Sequence, residues 1–157
     1  LSYLTAAQIR DELELEVLCG EDSLQNRISS IIVAAMAPQN MVRHLQNRCL
    51  VVVPGDRIDN ILASINAHLL KQAENSPQVS GLLLTGGFVP HVSIVNILCE
   101  VDVPVLLTDD DTATAAFKVR SLVAKITQQD TDKIEAAEKL VSEYVDVETI
   151  FEQAGDG

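Results

Sequence analysis

The sequence has no tryptophan, and Phe, Tyr and Trp together make up 3% of its 157 residues. A surface so poor in aromatic rings has no stacking platform for bases. Cations are scarce as well: Lys and Arg number 11 against 23 Asp and Glu, a formal net charge of −12. With no basic cluster to meet phosphates, neither nucleic acid nor an anionic membrane is an expected partner. Long apolar runs are missing. The longest, Ile31 to Ala37, is far short of the roughly 20 residues that cross a bilayer. No transmembrane segment or signal peptide is expected. The three cysteines, Cys19, Cys49 and Cys99, include no CxxC pair and are odd in number. They read as reduced, buried thiols of a cytoplasmic protein.

What is present points to a folded domain. Apolar residues reach 47%, which excludes a disordered acidic chain. A chain of about 150 residues buries roughly 70% of its unfolded surface. Composition shows no internal break, so a single domain is expected over residues 1–152, with 153–157 as a flexible tail. The first residue is Leu1 rather than Met, which suggests a piece of something longer.

Apolar strands alternate with amphipathic helices along the chain. Thr5 and Gln8 have capping-box spacing ahead of the stripe Ala6, Ile9, Leu13. Strands are expected at Glu16–Cys19 and from Ile28 to Ala35, with Pro38 opening a short helix to Leu45. Three similar units follow. Cys49 to Val53 leads into a helix from Asp56 to about Leu70, striped by Ile58, Ile61, Leu62, Ile65 and Leu69. Val79 to Leu84 leads into a helix from about Pro90 to Glu100. Val105 to Thr108 leads into a helix to about Gln128 with the stripe Ala116, Val119, Val123, Ile126. A last helix is expected from Asp132 to Tyr144, where Asp132 and Glu135 have capping spacing. Nearly continuous apolar strands imply burial on both faces. The fold class is therefore α/β, a mostly parallel sheet with helices on both faces.

In such sheets ligands bind beyond the carboxyl ends of the strands. Three polar turns fall there: Pro54-Gly55-Asp56-Arg57, Thr85-Gly86-Gly87, and Thr108 through Thr114. Asp56 suits a helix N-cap. Arg57 then sits in a first helical turn, against the helix dipole, and requires a compensating partner. That partner is a carboxylate, a carbonyl or an anionic ligand, and an ion pair to an Asp of the third turn is favoured over a ligand. Gly86-Gly87 permits either close backbone approach to a phosphate or close packing against a neighbouring turn or a second subunit. The spacing matches neither GxxxxGK[ST] nor GxGxxG. Asp109-Asp110-Asp111 reads either as a Mg²⁺ ligand cluster or as helix-capping carboxylates, and capping is favoured because no phosphate cradle accompanies it.

His44 and His68 fall on helices among polar neighbours and are expected on solvated faces, while His91 could line the strand-end crevice. No zinc spacing, GxSxG elbow or Cys with a partner base is present. No catalytic residue, metal ligand or cofactor is assigned.

The succession Gly55-Asp56-Arg57 and Thr85-Gly86-Gly87, each after an apolar strand, resembles the DRTGG domain family. The resemblance extends through Val103-Pro104-Val105 and Asp111-Thr112-Ala113-Thr114-Ala115, and covers about Leu4 to Ile126. The Asp132 to Phe151 segment resembles the C-terminal end of proteins joining a dethiobiotin-synthetase-like P-loop domain to such a module. The resemblance implies a fold similar to the N-terminal domain of HPr kinase/phosphorylase. It also implies attachment to phosphotransacetylase, P-loop or CBS-containing pyrophosphatase enzymes, and a regulatory or dimerising role without activity of its own.

The leading expectation is a non-catalytic regulatory and homodimerisation module, with a covalently linked P-loop domain upstream. The alternative is a sensor for a small anionic ligand, such as a nucleotide or acyl phosphate. It would be held by Gly55, Asp56, Arg57, Thr85, Gly86, Gly87, Asp111, Thr112 and Thr114. A phosphotransferase-type enzyme is the third reading.

Overall fold

The computed structural model describes residues 4–70 and 78–155, with side chains as far as residue 140. The chain divides into two compact units, Tyr3–Val123 and a second comprising Leu1–Ser2 with Ala124–Gly157. The first unit holds the sheet. Its elements are β1 (Leu4–Thr5), α1 (Ala6–Leu13), β2 (Glu16–Cys19), β3 (Arg27–Ile28), β4 (Ser30–Val33), α2 (Pro38–His44), β5 (Cys49–Pro54), α3 (Ile58–Leu69), β6 (Val79–Thr85), α4 (Val92–Cys99) and β7 (Val105–Leu107). α5 (Thr112–Gly155) begins in the first unit and continues in the second.

The five-stranded sheet has the order β2-β7-β6-β5-β4. β4, β5, β6 and β7 run parallel, and β2 joins the β7 edge antiparallel. β1 and β3 form a separate antiparallel pair. The crossovers through α2, α3 and α4 all step the same way across the sheet, so right-handed connections place those helices on one face. Alternation along the strands agrees. Val51, Val53, Leu82, Leu84 and Val105 share one cluster with Met41, Ile61, Ile65 and Leu98 of the three helices. Leu50, Val52, Leu83 and Leu106 are equally buried but lie outside that cluster. Their side chains point to the opposite face, the side left for Ile9 of α1 and Ala116 and Val119 of α5, which are also buried.

The capping box at Thr5 forms: the Gln8 N–H donates to Thr5 Oγ1 at 3.2 Å, and Gln8 Oε1 accepts from the Thr5 N–H at 2.9 Å. The run Ile28–Ala35 does not form one strand. It breaks at Ser29 into β3 and β4, which belong to different sheets. Ser29 there gives its N–H to Arg48 O and its hydroxyl to Asn47 O, stitching the break to the β5 entry. The expected gap between two C-terminal helices is also bridged. The Thr131 hydroxyl donates back to Thr127 O at 3.0 Å, and Gln128 Nε2 donates to Asp132 Oδ1 at 3.0 Å. The polar residues that suggested a cap are satisfied within a continuous α5.

α3 buries a different face from the one its apolar residues indicate. Ile61 and Ile65 are inside, but Leu69 is exposed, and Asn60, Ser64 and His68 are fully buried beside them. This polar line, spaced at i, i+4, i+8, draws partners from outside and inside the helix. Asn60 Nδ2 donates to Ala34 O and Met36 O, and the Ser64 hydroxyl donates to Asn60 O. His68 Nδ1 accepts the Val79 N–H at 3.2 Å, so Nε2 carries the proton and donates to Asp102 Oδ1 at 2.8 Å. The expectation of a solvated His68 is thus corrected. His44 lies on the exposed side of α2.

Candidate functional site

The carboxyl ends of β5, β6 and β7 carry the three turns, and they interlock. Pro54 is opposite Thr85 in the parallel register. The Gly55 N–H donates to Thr85 O at 3.0 Å, and the Arg57 N–H closes the first turn on Pro54 O at 3.0 Å. Gly55 is buried, and the Phe88 carbonyl oxygen lies where its Cβ would be. The helix that follows starts at Ile58, later than expected. Its N-cap is Arg57, which makes no side-chain capping bond. Asp56 is therefore not the cap. It lies exposed in the turn, close enough to Arg57 to favour its charge.

The Arg57 guanidinium does find a carboxylate, on its own helix. Nε donates to Asp59 Oδ1 at 3.1 Å and Nη2 to Asp59 Oδ2 at 3.2 Å, a two-pronged contact, while Nη2 also reaches Met36 O at 3.4 Å. The expected pairing with an Asp of the third turn does not occur. Asp59 in the first turn of α3 complements the helix dipole that Arg57 opposes. The hydrogen bond with Asp59 holds Arg57 above its ordinary value, and Arg57 holds Asp59 below its own. Met36 O accepts from both Arg57 and Asn60, so the start of α3 is pinned to the connection after β4. Asn60 Oδ1 stays buried without a hydrogen-bond partner.

In the second turn, Gly86 and Gly87 have φ of 82° and 73°, a left-handed region that side chains rarely adopt. Their N–H groups point into the third turn: Gly86 donates to Asp110 O at 2.7 Å and Gly87 to Thr108 O at 3.0 Å. Thr85 is buried and shares a 2.7 Å hydroxyl–hydroxyl bond with Thr112. The Thr108 N–H returns to Leu84 O, and the Asp110 N–H bonds Thr108 Oγ1. Of the two readings of the glycine pair, the geometry follows close packing between turns.

The third turn is a helix start. Asp111 Oδ1 accepts the Thr114 N–H at 2.7 Å, and the Thr114 hydroxyl adds a second bond, which together hold the Asp111 carboxyl below its ordinary value. Asp110 pairs with Lys118 Nζ at 2.7 Å. A cavity of about 260 Å³ beside this turn is lined by Glu14, Glu16, Asp109, Asp110 and Lys118 among others, a negative balance that disfavours anions. Among the described residues no three of His, Cys, Asp and Glu converge in a form that would hold a metal ion.

The structure thus gathers Gly55, Thr85, Gly86, Gly87, Thr112 and the Asp111–Thr114 cap at one end of the sheet, with Arg57 turned toward Asp59 and Met36. It adds Phe88, which the sequence reading passed over. Its carbonyl covers Gly55, its ring lies against Gly86, and the residue is 51% exposed. Val89 and Val92, which follow it in sequence, are 58% and 62% exposed. An aromatic residue directly after a strand-end glycine pair was the available signal. His91 caps α4 by accepting the Ser93 N–H at 3.2 Å.

The DRTGG domain profile matches residues 8–122, and the chain belongs to that family. A phosphate acetyltransferase of Nitratidesulfovibrio vulgaris is 32% identical over 145 residues, covering 90% of this chain and 20% of that protein. Another, from Pseudomonas putida, is 33% identical over 159 residues, covering 97% and 22%. The chain therefore spans about a fifth of these relatives. Among solved structures, it is similar to the CBS and DRTGG domains of the regulatory region of Clostridium perfringens pyrophosphatase, complexed with its activator diadenosine tetraphosphate. That likeness has a TM-score of 0.54 at 24% identity, over 69% of this chain and 42% of that one. It supports the mixed, mostly parallel α/β fold. No helix among the described residues is long and apolar enough to cross a membrane.

Proposed function

We propose that this chain is a regulatory, homodimerising domain linked to an enzyme of the phosphate acetyltransferase type, with a P-loop domain upstream and no catalytic set of its own. One observation carries the reading. The motif N–H groups are committed between the strand-end turns, and Phe88, Val89 and Val92 beside them are exposed. Exposed apolar residues of this kind suit a protein surface better than a phosphate. A second copy of the chain is the partner this reading commits to. A domain that occupies a fifth of its relatives fits a module that acts on an attached enzyme.

The test is the mass of the full chain in solution at tens of micromolar, by light scattering or sedimentation equilibrium. A dimer is expected for the wild type and a monomer for Val92→Asp, with circular dichroism unchanged. A monomeric wild type, or an undisturbed dimer in Val92→Asp, overturns the reading.

The second reading is a small-anion sensor at the same turns, with a nucleotide or acyl phosphate as ligand. The half-exposed Arg57 guanidinium favours it, since an incoming anion can replace Asp59 as its partner. Binding to the native state alone raises apparent stability. A melting shift with such a ligand, abolished in Arg57→Ala, is the expected result. The absence of any shift across a panel of nucleotides and acyl phosphates ends this reading.

A further inference from the structure

The amino ends of β5 and β6, opposite the motif turns, border a polar pocket of about 280 Å³. Its described lining residues are Gln25, Asn26, Arg27, Arg48, Gln78 and Ser80. As a sequence the chain shows no basic cluster, yet the fold brings Arg27 and Arg48 to one pocket. The chain carries 23 Asp and Glu, and none is among these lining residues. A concave surface of one sign concentrates ligands of the other. The motif end presents the reverse balance, since Glu14, Glu16, Asp109 and Asp110 line its cavity.

The backbone around the pocket is tied down. Arg27 belongs to β3 and pairs with Thr5 of β1. Asn26 O accepts the Ala6 N–H at 3.2 Å, and Asn26 Nδ2 donates to Ser80 O at 3.4 Å and to Asp102 O at 3.3 Å. Arg48 O accepts the Ser29 N–H at 2.9 Å, and Gln78 O accepts the Cys49 N–H at 3.2 Å. Arg48 has a φ of 57°, a left-handed conformation that persists only where the surroundings impose it and that gathers at ligand sites. Ser80 is 2% exposed, and Asn26 takes its backbone oxygen rather than its hydroxyl.

We propose that this pocket binds a phosphate group, with Arg27 and Arg48 meeting its charge and Gln25, Gln78 and Ser80 donating to its remaining oxygens. A guanidinium offers N–H donors in a fork that matches phosphate oxygens. Amide and hydroxyl donors complete the set without adding charge. Both arginines are exposed, so they meet the ligand from the solvent side while the buried Ser80 meets it from within. The phosphate is either the free ion or one carried on a small molecule, and the chemistry of the pocket is the same for both. The site lies at the other end of the parallel strands from the motif, so it stands independently of both functional readings above.

The experiment records ¹H–¹⁵N spectra of the full chain at low ionic strength while inorganic phosphate is titrated, with glycerol 3-phosphate in a parallel series. Saturable shifts are expected at the amides of Arg27, Arg48, Gln78 and Ser80, with a dissociation constant of about 1 mM or below. The ligand that binds more tightly assigns the source, free or carried. Arg48→Gln and Arg27→Gln should each weaken binding about tenfold, and added salt should weaken it in the wild type. Arg57→Ala should leave it unchanged, which separates this site from an anion site at the motif turns. The proposal is overturned by the absence of any saturable shift up to about 20 mM, by shifts that centre on Gly86 and Gly87, or by undiminished binding in both arginine variants. The wild-type map decides the matter even where a variant fails to fold.

Discussion

The carbonyl oxygen of Phe88 occupies the space that a side chain at Gly55 would need. The two residues belong to different strand-end turns, and that contact sets how closely the β5 and β6 turns approach. Gly55 does not have the positive φ of Gly86 and Gly87. Its requirement for glycine comes from the neighbouring backbone, which has no rotamer by which to move aside.

Gly55→Ala should therefore be among the most damaging small substitutions at this end of the sheet. Overpacking against fixed atoms costs typically up to about 3 kcal/mol. Urea unfolding should show a loss of about 3 kcal/mol, with the exposure of Phe88 changing as the turns separate. A loss within about 0.5 kcal/mol, the range of ordinary surface changes, would mean that the turns can part freely.

Gly87→Ala presents the reverse balance. Its φ of 73° lies in the left-handed region, but a Cβ there meets only Asp109 Oδ1, at 2.9 Å. That carboxylate is the end of an exposed side chain and can turn away. The cost should be mainly backbone, about 1 kcal/mol, and smaller than at Gly55. Gly87→Asn should cost less still, because Asn tolerates this conformation. Parallel urea titrations of the three variants establish the order, and Gly87→Ala exceeding Gly55→Ala would contradict it.

The architecture was legible because its signals are strong and local. β5 and β6 are β-branched or leucine-rich runs closed by Pro54-Gly55 and Gly86-Gly87, and Thr5 with Gln8 gives a complete capping box. The misreadings arose where one residue pattern serves two structures. Ile28–Ala35 is apolar on both sides of Ser29, so periodicity does not reveal that its halves enter different sheets. Asp130 to Asp132 resembles a helix start, yet Thr131 bonds within the helix. Arg57 looked destined for the third turn, but Asp59 is nearer along the same helix and meets it with both oxygens. His68 was placed in solvent because its neighbours in sequence are polar. Its neighbours in space are the β6 entry and Asp102, which are remote along the chain. Long-range partners of this kind leave no local trace.

The His68 contacts separate two energetic contributions. His68→Leu removes the acceptor of the buried Val79 N–H and should destabilise by about 2 kcal/mol, the cost of an unpaired buried donor. Asp102→Asn keeps an oxygen facing Nε2–H at an end that is 61% exposed, where charge is screened. Its effect should stay below about 1 kcal/mol. Equilibrium unfolding of both variants checks the difference. An Asp102→Asn loss as large as that of His68→Leu would show that the carboxylate, not the Val79 bond, holds the end of α3.

Acid should loosen the two helix starts that flank the motif. Asp59 and Asp111 both titrate below the ordinary carboxylate value of 3.8, held down by Arg57 and by Thr114 respectively. A carboxylate whose pKa is lower in the folded chain contributes its stability fully above the unfolded value, and loses it as pH falls through the folded one. Both contributions should therefore be intact at neutral pH and decline below about pH 4. Asp111→Asn isolates the charge, because asparagine retains the oxygen that accepts the Thr114 N–H. The melting temperature of Asp111→Asn should lie below that of the wild type at pH 7, and the two should converge as the pH falls below the ordinary carboxylate value. A gap that stays constant over that range would assign the role of Asp111 to its shape rather than its charge.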